Sequence, residues 1–334
     1  MVRSRSFLIL ILMAFLTANL GFGAEVIPSV ALYLNDKKGA FSFTFDDGFR
    51  HQVENTLEIL DPLGIKGTFF LIPYYIEDSE RSWNMATWPR VKKIEAKGHE
   101  IGTHGSIQIK LHEASEAVLE EQINGSWDLL RQKGGLRSVS YAAPGGSRIN
   151  DLVEAKIREH HYFIRNEQFL PRARIMGYGR TEFREWDDLN MREIIKAAMA
   201  AGEWVIPYVH AIVEGYSPFK SKAEFRIHCE WLKSIEGELW IAPMGTVGRY
   251  VLERDAAALT VIEQTVHSLT MRLSHSLADK EIFNVPLTVV IPVTGVVKAS
   301  VVQKGNPEAK VNVCADKILL NILPNGAKVM VEWE

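Results

Sequence analysis

The chain has 334 residues, enough for a core of about 200 residues and a second module, since single domains usually run about 50 to 250 residues. Apolar residues make up 47% and charged residues 24%, with 13 Pro and 24 Gly, which excludes a disordered, collagen-like or coiled-coil chain. Lys+Arg 38 against Asp+Glu 41 gives a formal charge of -3, so no basic excess exists for general binding of nucleic acid or an anionic membrane.

The first six residues, MVRSRS, are a basic stretch, followed by the apolar run FLILILMAFLTANL and then GFGAEV. This is the pattern of a cleaved secretory signal over residues 1–24, which predicts an exported protein, periplasmic or secreted, with no stable membrane insertion after cleavage. The competing reading is an uncleaved anchor, but the run is shorter than the roughly 17 to 25 residues of a usual spanning helix. Only Cys229 and Cys314 are present, which excludes a disulfide scaffold and, with no earlier Cys, a cysteine lipid anchor.

A strand is predicted over 40–45, in GAFSFTFDDG, then a helix over 51–60 ended by Asp61 and Pro62. The apolar run GTFFLI gives a buried strand over 67–72. A helix over 89–97 follows, then a short strand over 98–102 leading into Thr103 and His104. A charged helix over 112–132 precedes a strand over 138–141 and the turn Pro144-Gly145-Gly146. Asn124-Gly125-Ser126, a glycosylation triplet, lies inside that helix. Further on come a helix over 151–160, a strand over 162–165, a helix over 190–201 stopped by Gly202, a strand over 203–209, a helix over 222–235, a strand over 238–242 and a last helix over 246–258.

This alternation predicts an α/β fold, a distorted parallel (β/α) barrel, with its chemistry at the C-terminal ends of the strands. From about residue 262 the period changes to short strand-like runs such as VPLTVVIPV and KILLNIL, bounded by TG, GNP and PNG, which read as a small all-β sandwich. The expected division is therefore a signal at 1–24, a catalytic domain at 25–261 and a β-sandwich accessory domain at 262–334. Cys229 and Cys314 fall in different domains, and no bridge between them is expected.

Asp46-Asp47-Gly48 closes the first buried strand. Two carboxylates there are costly unless a metal, a cation or a hydrogen-bond network satisfies them. Adjacent side chains on extended backbone point opposite ways, so the two acids are expected to have different partners. In GHEIGTHG, His104 ends another strand, and a helical turn over 105–108 would put His104 and Gln108 on one face. His104 with one carboxylate makes a two-residue base for a divalent ion, and Gln108 adds a weaker oxygen ligand or a holder of water. His210 ends the strand WVIPYVH, and its ordinary pKa near about 6.5 suits a proton donor to a leaving group.

Over residues 38–250 these features resemble the polysaccharide deacetylase family, carbohydrate esterase family 4. Thr44-Phe45-Asp46-Asp47-Gly48 is similar to its first motif, which implies Asp46 as general base and Asp47 as metal ligand. The family's His-Ser/Thr-x-x-His aligns with His104-Gly105-Ser106-Ile107-Gln108, which keeps the first metal histidine and replaces the second by Gln108; His112 is the nearest alternative donor. The Arg-x-Pro-Tyr/Phe-Gly motif aligns with Ala142-Ala143-Pro144-Gly145-Gly146. The arginine that holds the base is thus Ala142, and Arg165 stands where many members carry a later arginine. Trp186-Asp187 resembles the aromatic-acid region lining the site, and Val209-His210-Ala211 keeps the final histidine, which implies His210 as general acid.

The resemblance implies metal-dependent removal of N- or O-linked acetyl groups from an extracytoplasmic glycan, with Zn²⁺ as the first choice of ion. Gln108 implies weaker Zn²⁺ retention or acceptance of Co²⁺, Mn²⁺ or Ni²⁺. Tyr74, Tyr75, Trp83, Trp88, Tyr141, Trp186 and Tyr216 are candidate sugar-stacking aromatics. Two other readings compete. One is a glycan-binding protein on an inactivated deacetylase fold, which would tolerate Gln108 and Ala142. The other is a glycosidase, which the consecutive acids disfavour because two carboxylates must flank the sugar.

Overall fold

The computed structural model describes residues 26–77, 84–177, 188–213 and 217–334. The leader read at 1–24 lies outside the described residues, as do Trp83, Trp186, Asp187 and Tyr216. After a short β1 (Ser29–Val30), nine strands make one parallel sheet: β2 (Gly39–Phe41), β3 (Thr44–Asp47), β4 (Thr68–Leu71), β5 (Glu100–Thr103), β6 (Ser140–Tyr141), β7 (Phe163–Ile164), β8 (Ala173–Gly177), β9 (Trp204–Val209) and β10 (Leu239–Ile241). The helices are α1 (Arg50–Leu63), α2 (Pro73–Glu77), α3 (Trp88–Ala96), α4 (Glu116–Leu119), α5 (Ser126–Leu129), α6 (Asp151–Arg158), α7 (Asp188–Ala201), α8 (Lys222–Ser234) and α9 (Met244–Asp255). Among the described residues, none of them is long and apolar enough to cross a membrane.

β9 pairs with β8 and with both β2 and β3, and β4 to β7 follow β3 in order. No ladder joins β7 to β8 among the described residues, so this is an incomplete (β/α) barrel of the predicted kind. Strand alternation sets its two layers. Phe41, Phe43, Phe45 and Phe69 pack with Val53 and Leu57 of α1 and Phe225 and Leu232 of α8. Ala40, Phe70, Ala142, Phe163, Trp204 and Ile206 form a second cluster with Met244 and Val247 of α9. That helix lies against the N-terminal ends of β4 to β7. Met244 N donates to Thr68 Oγ1 at 2.8 Å and Gly245 N to Glu100 Oε2 at 2.7 Å. A Cβ on Gly248 would stand 2.6 Å from the Phe163 ring, so this approach requires glycine.

Several elements differ from expectation for local reasons. α1 continues through Pro62, because a proline in the last turn forfeits only the bond to exposed Glu58, and Gly64 at φ 68 then ends the helix. The segment read as one helix over 112–132 alternates α and π turns from Glu116 to Gly134. Within it Asn124 is buried and donates to Glu120 and Glu159, so the glycosylation triplet is inaccessible in the folded chain. β8 was not anticipated; ARIMG is a short run that follows Pro171-Arg172.

The C-terminal residues, together with β1, form two antiparallel four-stranded sheets from β11 (Ala257–Gln264), β12 (Ser268–His275), β13 (Leu287–Ile291), β14 (Ala299–Gln303), β15 (Lys310–Val313), β16 (Ile318–Ile322) and β17 (Asn325–Trp333). Leu269, Met271, Leu273, Val329 and Val331 of one sheet share a core with Val289, Ile291 and Leu320 of the other. α9 stops at Asp255 and β11 starts at Ala257, so the boundary drawn at 262 falls inside a strand. β1 also pairs with β13, which puts residues before the barrel into the sandwich. Tyr250 of α9 enters that core and donates to Ala31 O at 2.9 Å. Cys229 and Cys314 are both free thiols.

Glu253 of α9 is buried at this junction. Val285 N approaches its two carboxyl oxygens at 3.0 and 3.2 Å, and His275 Nε2 lies 4.0 Å away. Burial pushes the Glu253 carboxyl up to about 7, against the lowering by the Val285 N–H, Arg249 and Lys280. The folded state therefore holds this proton more tightly than the unfolded chain. The stabilisation is complete below the ordinary value of 4.5 and is lost as pH rises through about 7. Between pH of about 5 and 8 the melting temperature of the parent should fall more than that of Glu253→Gln, and parallel melting curves would exclude this role.

Candidate active site

Asp46 and Asp47 end β3 beside Phe70 and Leu71 of β4, and both are buried. Asp47 has φ 75 and Gly48 φ 81. A left-handed non-glycine residue costs about 1–3 kcal/mol and persists only where its surroundings impose it. This turn changes the expected geometry, because the rotation at Asp47 brings its carboxylate back toward the side that Asp46 faces. Both acids approach His104 Nε2, Asp46 Oδ2 at 3.9 Å and Asp47 Oδ1 at 3.7 Å. Their strongest partners still differ, as the sequence required.

Asp46 is clamped by Arg165, which extends from the end of β7. Nη1 donates to Oδ1 and Nη2 to Oδ2, each at 2.6 Å, and Nη1 also donates to Thr44 Oγ1 at 2.8 Å. The guanidinium lies between the rings of Phe70 and Tyr208, each centroid 4.9 Å away. Burial alone would raise the Asp46 carboxyl; the Arg165 guanidinium, and then His104, overcome that and hold it at about 2. The cation missing at Ala142 is thus supplied from Arg165. Ala142 keeps a part in the site through its backbone, since its carbonyl lies 2.8 Å from His104 Nδ1. A carbonyl can only accept, so Nδ1 carries a proton, and Nε2 is the ring nitrogen turned toward the two acids.

Gln108 also reaches the pair, but not along a helical face. Gly105 at φ 73 breaks the chain direction after His104, where a Cβ would stand 3.1 Å from Pro144, and no helical turn forms over 105–108. The segment returns as a loop. Gln108 N donates to Tyr75 Oη at 3.3 Å, and Gln108 Nε2 donates to Asp47 Oδ1 at 2.7 Å. In this arrangement its amide nitrogen, not its oxygen, meets Asp47. His112 is engaged elsewhere, with Nδ1 accepting from Arg148 N.

His210 follows β9, half-buried, with its ring edge to face with Tyr208 at 5.9 Å. Asp46, His104, Gln108, Arg165, Tyr208 and His210 line one cleft of about 220 Å³. Asp47 adjoins it through His104 and Gln108. Tyr208 was missed, although it stands two residues before His210 in a predicted strand and so on the same face. Of the candidate aromatics, Tyr141 is fully buried and cannot stack on a sugar, and Trp88 packs against the barrel core. Burial of Tyr141 follows from its place at the end of β6 among Leu111, Ile123 and Ile157.

No three or more His, Cys, Asp or Glu side chains are grouped to hold an ion among the described residues. The donors nonetheless fit a divalent cation held by two residues. Asp47 Oδ1 and His104 Nε2 are 3.7 Å apart, and two donors on one tetrahedral ion stand roughly 3.4 Å apart. The Ala142 carbonyl holds the His104 Nδ1–H and leaves Nε2 as the nitrogen that an ion would take, as an outer partner does for a metal-bound imidazole.

Residues 34–163 match the family model described as polysaccharide deacetylase. This segment belongs to the polysaccharide deacetylase family. A Mycobacterium smegmatis structure assigned as a polysaccharide deacetylase has the same barrel: TM-score 0.53, 16% identity, 69% of this chain and 96% of that one covered. Peptidoglycan deacetylase of Bacillus subtilis aligns with a TM-score of 0.44 at 17% identity, over 65% of this chain and 94% of its own. A gellan lyase of a Bacillus species is 25% identical over 294 residues, or 79% of this chain. The match spans only 11% of that protein's length. The deacetylase segment contains Asp46, Asp47, His104 and Gln108 and ends at Phe163, two residues before Arg165.

Proposed function

We propose that the chain is an exported, metal-assisted hydrolase that removes acetyl groups from an extracytoplasmic polysaccharide. The observation that carries this reading is the convergence of Asp46, Asp47, His104 and His210 from the C-terminal ends of β3, β5 and β9. Export rests on the leader at 1–24. The elimination chemistry in the name of the Bacillus relative is not carried over, because the match covers so little of that protein.

Asp47 and His104 would hold the ion, and Gln108 orients the Asp47 carboxylate through its amide N–H. When bound, the ion, Zn²⁺ before Co²⁺, Mn²⁺ or Ni²⁺, supplies a Lewis acid that polarises the acetyl carbonyl and makes water more acidic. Asp46 takes a proton from the attacking water as its oxygen bonds the acetyl carbon. Arg165 keeps Asp46 ionised and aimed, a readiness gained at the expense of base strength. His210 gives its proton to the sugar nitrogen or oxygen as the bond from the acetyl carbon to it breaks, and acetate leaves.

Gln108→His tests the metal reading directly. An imidazole beside Asp47 and His104 completes a three-donor set, so Zn²⁺ titrated into this variant should bind about tenfold or more tightly than into the parent, and Asp47→Asn should bind weakest. Acetate release from acetylated xylan, chitooligosaccharide, peptidoglycan and gellan, the polymer named for the Bacillus relative, should match or exceed the parent in Gln108→His. Binding unchanged by either substitution would place the ion elsewhere.

A further inference from the structure

We infer that Gln52 and Asn55 of α1 are positioning residues that tie the His210 segment to the Asp46 strand, an inference that rests on His210 and Asp46 being acid and base. The parallel ladder between β3 and β9 ends at the pair Phe45 and Val209. One residue further on each strand are Asp46 and His210, which that ladder no longer joins. Gln52 takes over at this point. Its Nε2 lies 2.6 Å from Asp46 O, 2.8 Å from His210 O and 3.2 Å from Val209 O. An amide nitrogen has two N–H groups, so one serves the Asp46 carbonyl and the other is directed at the carbonyls around His210.

Gln52 is fully buried, and its Oε1 is buried without a hydrogen-bond partner. A helix that needed only packing here would be better served by an apolar side chain, because a buried acceptor without a partner is a cost. The donors are what the position uses. One turn along α1, Asn55 Nδ2 donates to Ile212 O at 2.9 Å. The segment so held has no strand or helix of its own, and Val213 lies at φ 81, a conformation that a β-branched residue adopts only under constraint. Val213 N donates to Ser217 Oγ at 2.8 Å, a third tether. Because α1 begins at Arg50, three residues after Asp47, one helix fixes both ends of the proton path.

The test is a mutant cycle on the full chain, with acetate release from whichever acetylated glycan the parent hydrolyses. Gln52→Met keeps length and removes the donors. It should lower kcat by about 10- to 100-fold, the scale of a misplacement of about 1 Å, with KM changed less than about twofold. Added to His210→Ala it should cost less than it does in the parent, since the part of the tether that acts through His210 is then already lost. An activity-free readout accompanies this. The imidazole NMR signal that disappears in His210→Ala should shift or broaden in Gln52→Met while other histidine signals stay in place. Asn55→Leu, at a half-buried position, should show the same pattern with about a 3- to 10-fold loss and serves if Gln52→Met fails to fold. Equal losses with and without His210, or an unmoved His210 signal in both variants, would overturn the tether. A His210→Ala variant as fast as the parent would refute the acid assignment instead, leaving the NMR signal to decide on the tether.

Discussion

Asp46→Asn is expected to release no measurable acetate while still folding and still binding Zn²⁺. The substitution keeps shape and one acceptor oxygen but removes the lone pair that takes the proton, a loss of about 10²- to 10⁴-fold for a general base. The ion is assigned to Asp47 and His104, so its affinity should stay within a few fold of the parent. Stability should fall moderately, because the amide nitrogen of Asn would face one Arg165 N–H that Asp46 now accepts at 2.6 Å. Acetate release, metal titration and circular dichroism on one preparation separate these effects. Retention of more than about a tenth of the parental rate would contradict the role given to Asp46.

Arg165→Met should have the largest effect on stability. Asp46 and Arg165 are both almost wholly buried, with side chains 3% and 7% exposed, and neither has water to fall back on. Breaking such a pair by removing one member costs about 3–5 kcal/mol, because the remaining charge stays buried and unpaired. In the parent the Asp46 carboxyl is held at about 2 against an ordinary value of 3.8. Its contribution is therefore present above the ordinary value and lost as pH falls through about 2. In Arg165→Met burial dominates and pushes the carboxyl up, so the acid side of the stability curve should weaken at much higher pH than in the parent. Acetate release should be lost first at acidic pH and recover in part as pH rises. Denaturation at several pH values checks this, and a melting temperature unchanged from the parent would show that the pair is not what holds Asp46.

The barrel was legible wherever strand and helix are set by local pattern. GTFFLI and WVIPYVH gave β4 and β9, and GAFSFTFDDG, read as one strand over 40–45, folds as β2 and β3 on either side of β9 but still delivers Asp46 to a strand end, because apolar runs and turn glycines act over a few residues. What was not legible depends on contacts distant in sequence. β1 pairs with β13, about 260 residues away, and nothing in Ser29–Val30 announces it. Arg165 was visible as a candidate cation, but its grip on Asp46 exists only because β7 and β3 curve around the same interior.

The site showed the same division. The acids, His104, Gln108 and His210 could be read from their places after strands, and the structure brings their side chains to one cleft or its wall. The geometry between them was misread in two places, each set by a positive φ. Asp47 does not point away from Asp46, and Gly105 prevents the helical turn that was to align His104 with Gln108. Gln52 left one faint trace, a long polar side chain on the apolar face of α1 next to Val53 and Thr56. Its meaning needs the carbonyls of Asp46 and His210 in view.

The most direct test is acetate released by the full-length chain from acetylated xylan, chitooligosaccharide, peptidoglycan and gellan, measured against free Zn²⁺ over a range that spans the binding curve. Release from at least one polymer should rise with the same midpoint as Zn²⁺ binding, vanish in Asp46→Asn at every Zn²⁺ level, and reach its half-maximum at lower Zn²⁺ in Gln108→His. Zn²⁺-independent silence on all four polymers, with neither parent nor Gln108→His binding metal, would contradict the hydrolase and leave a barrel that only binds glycan.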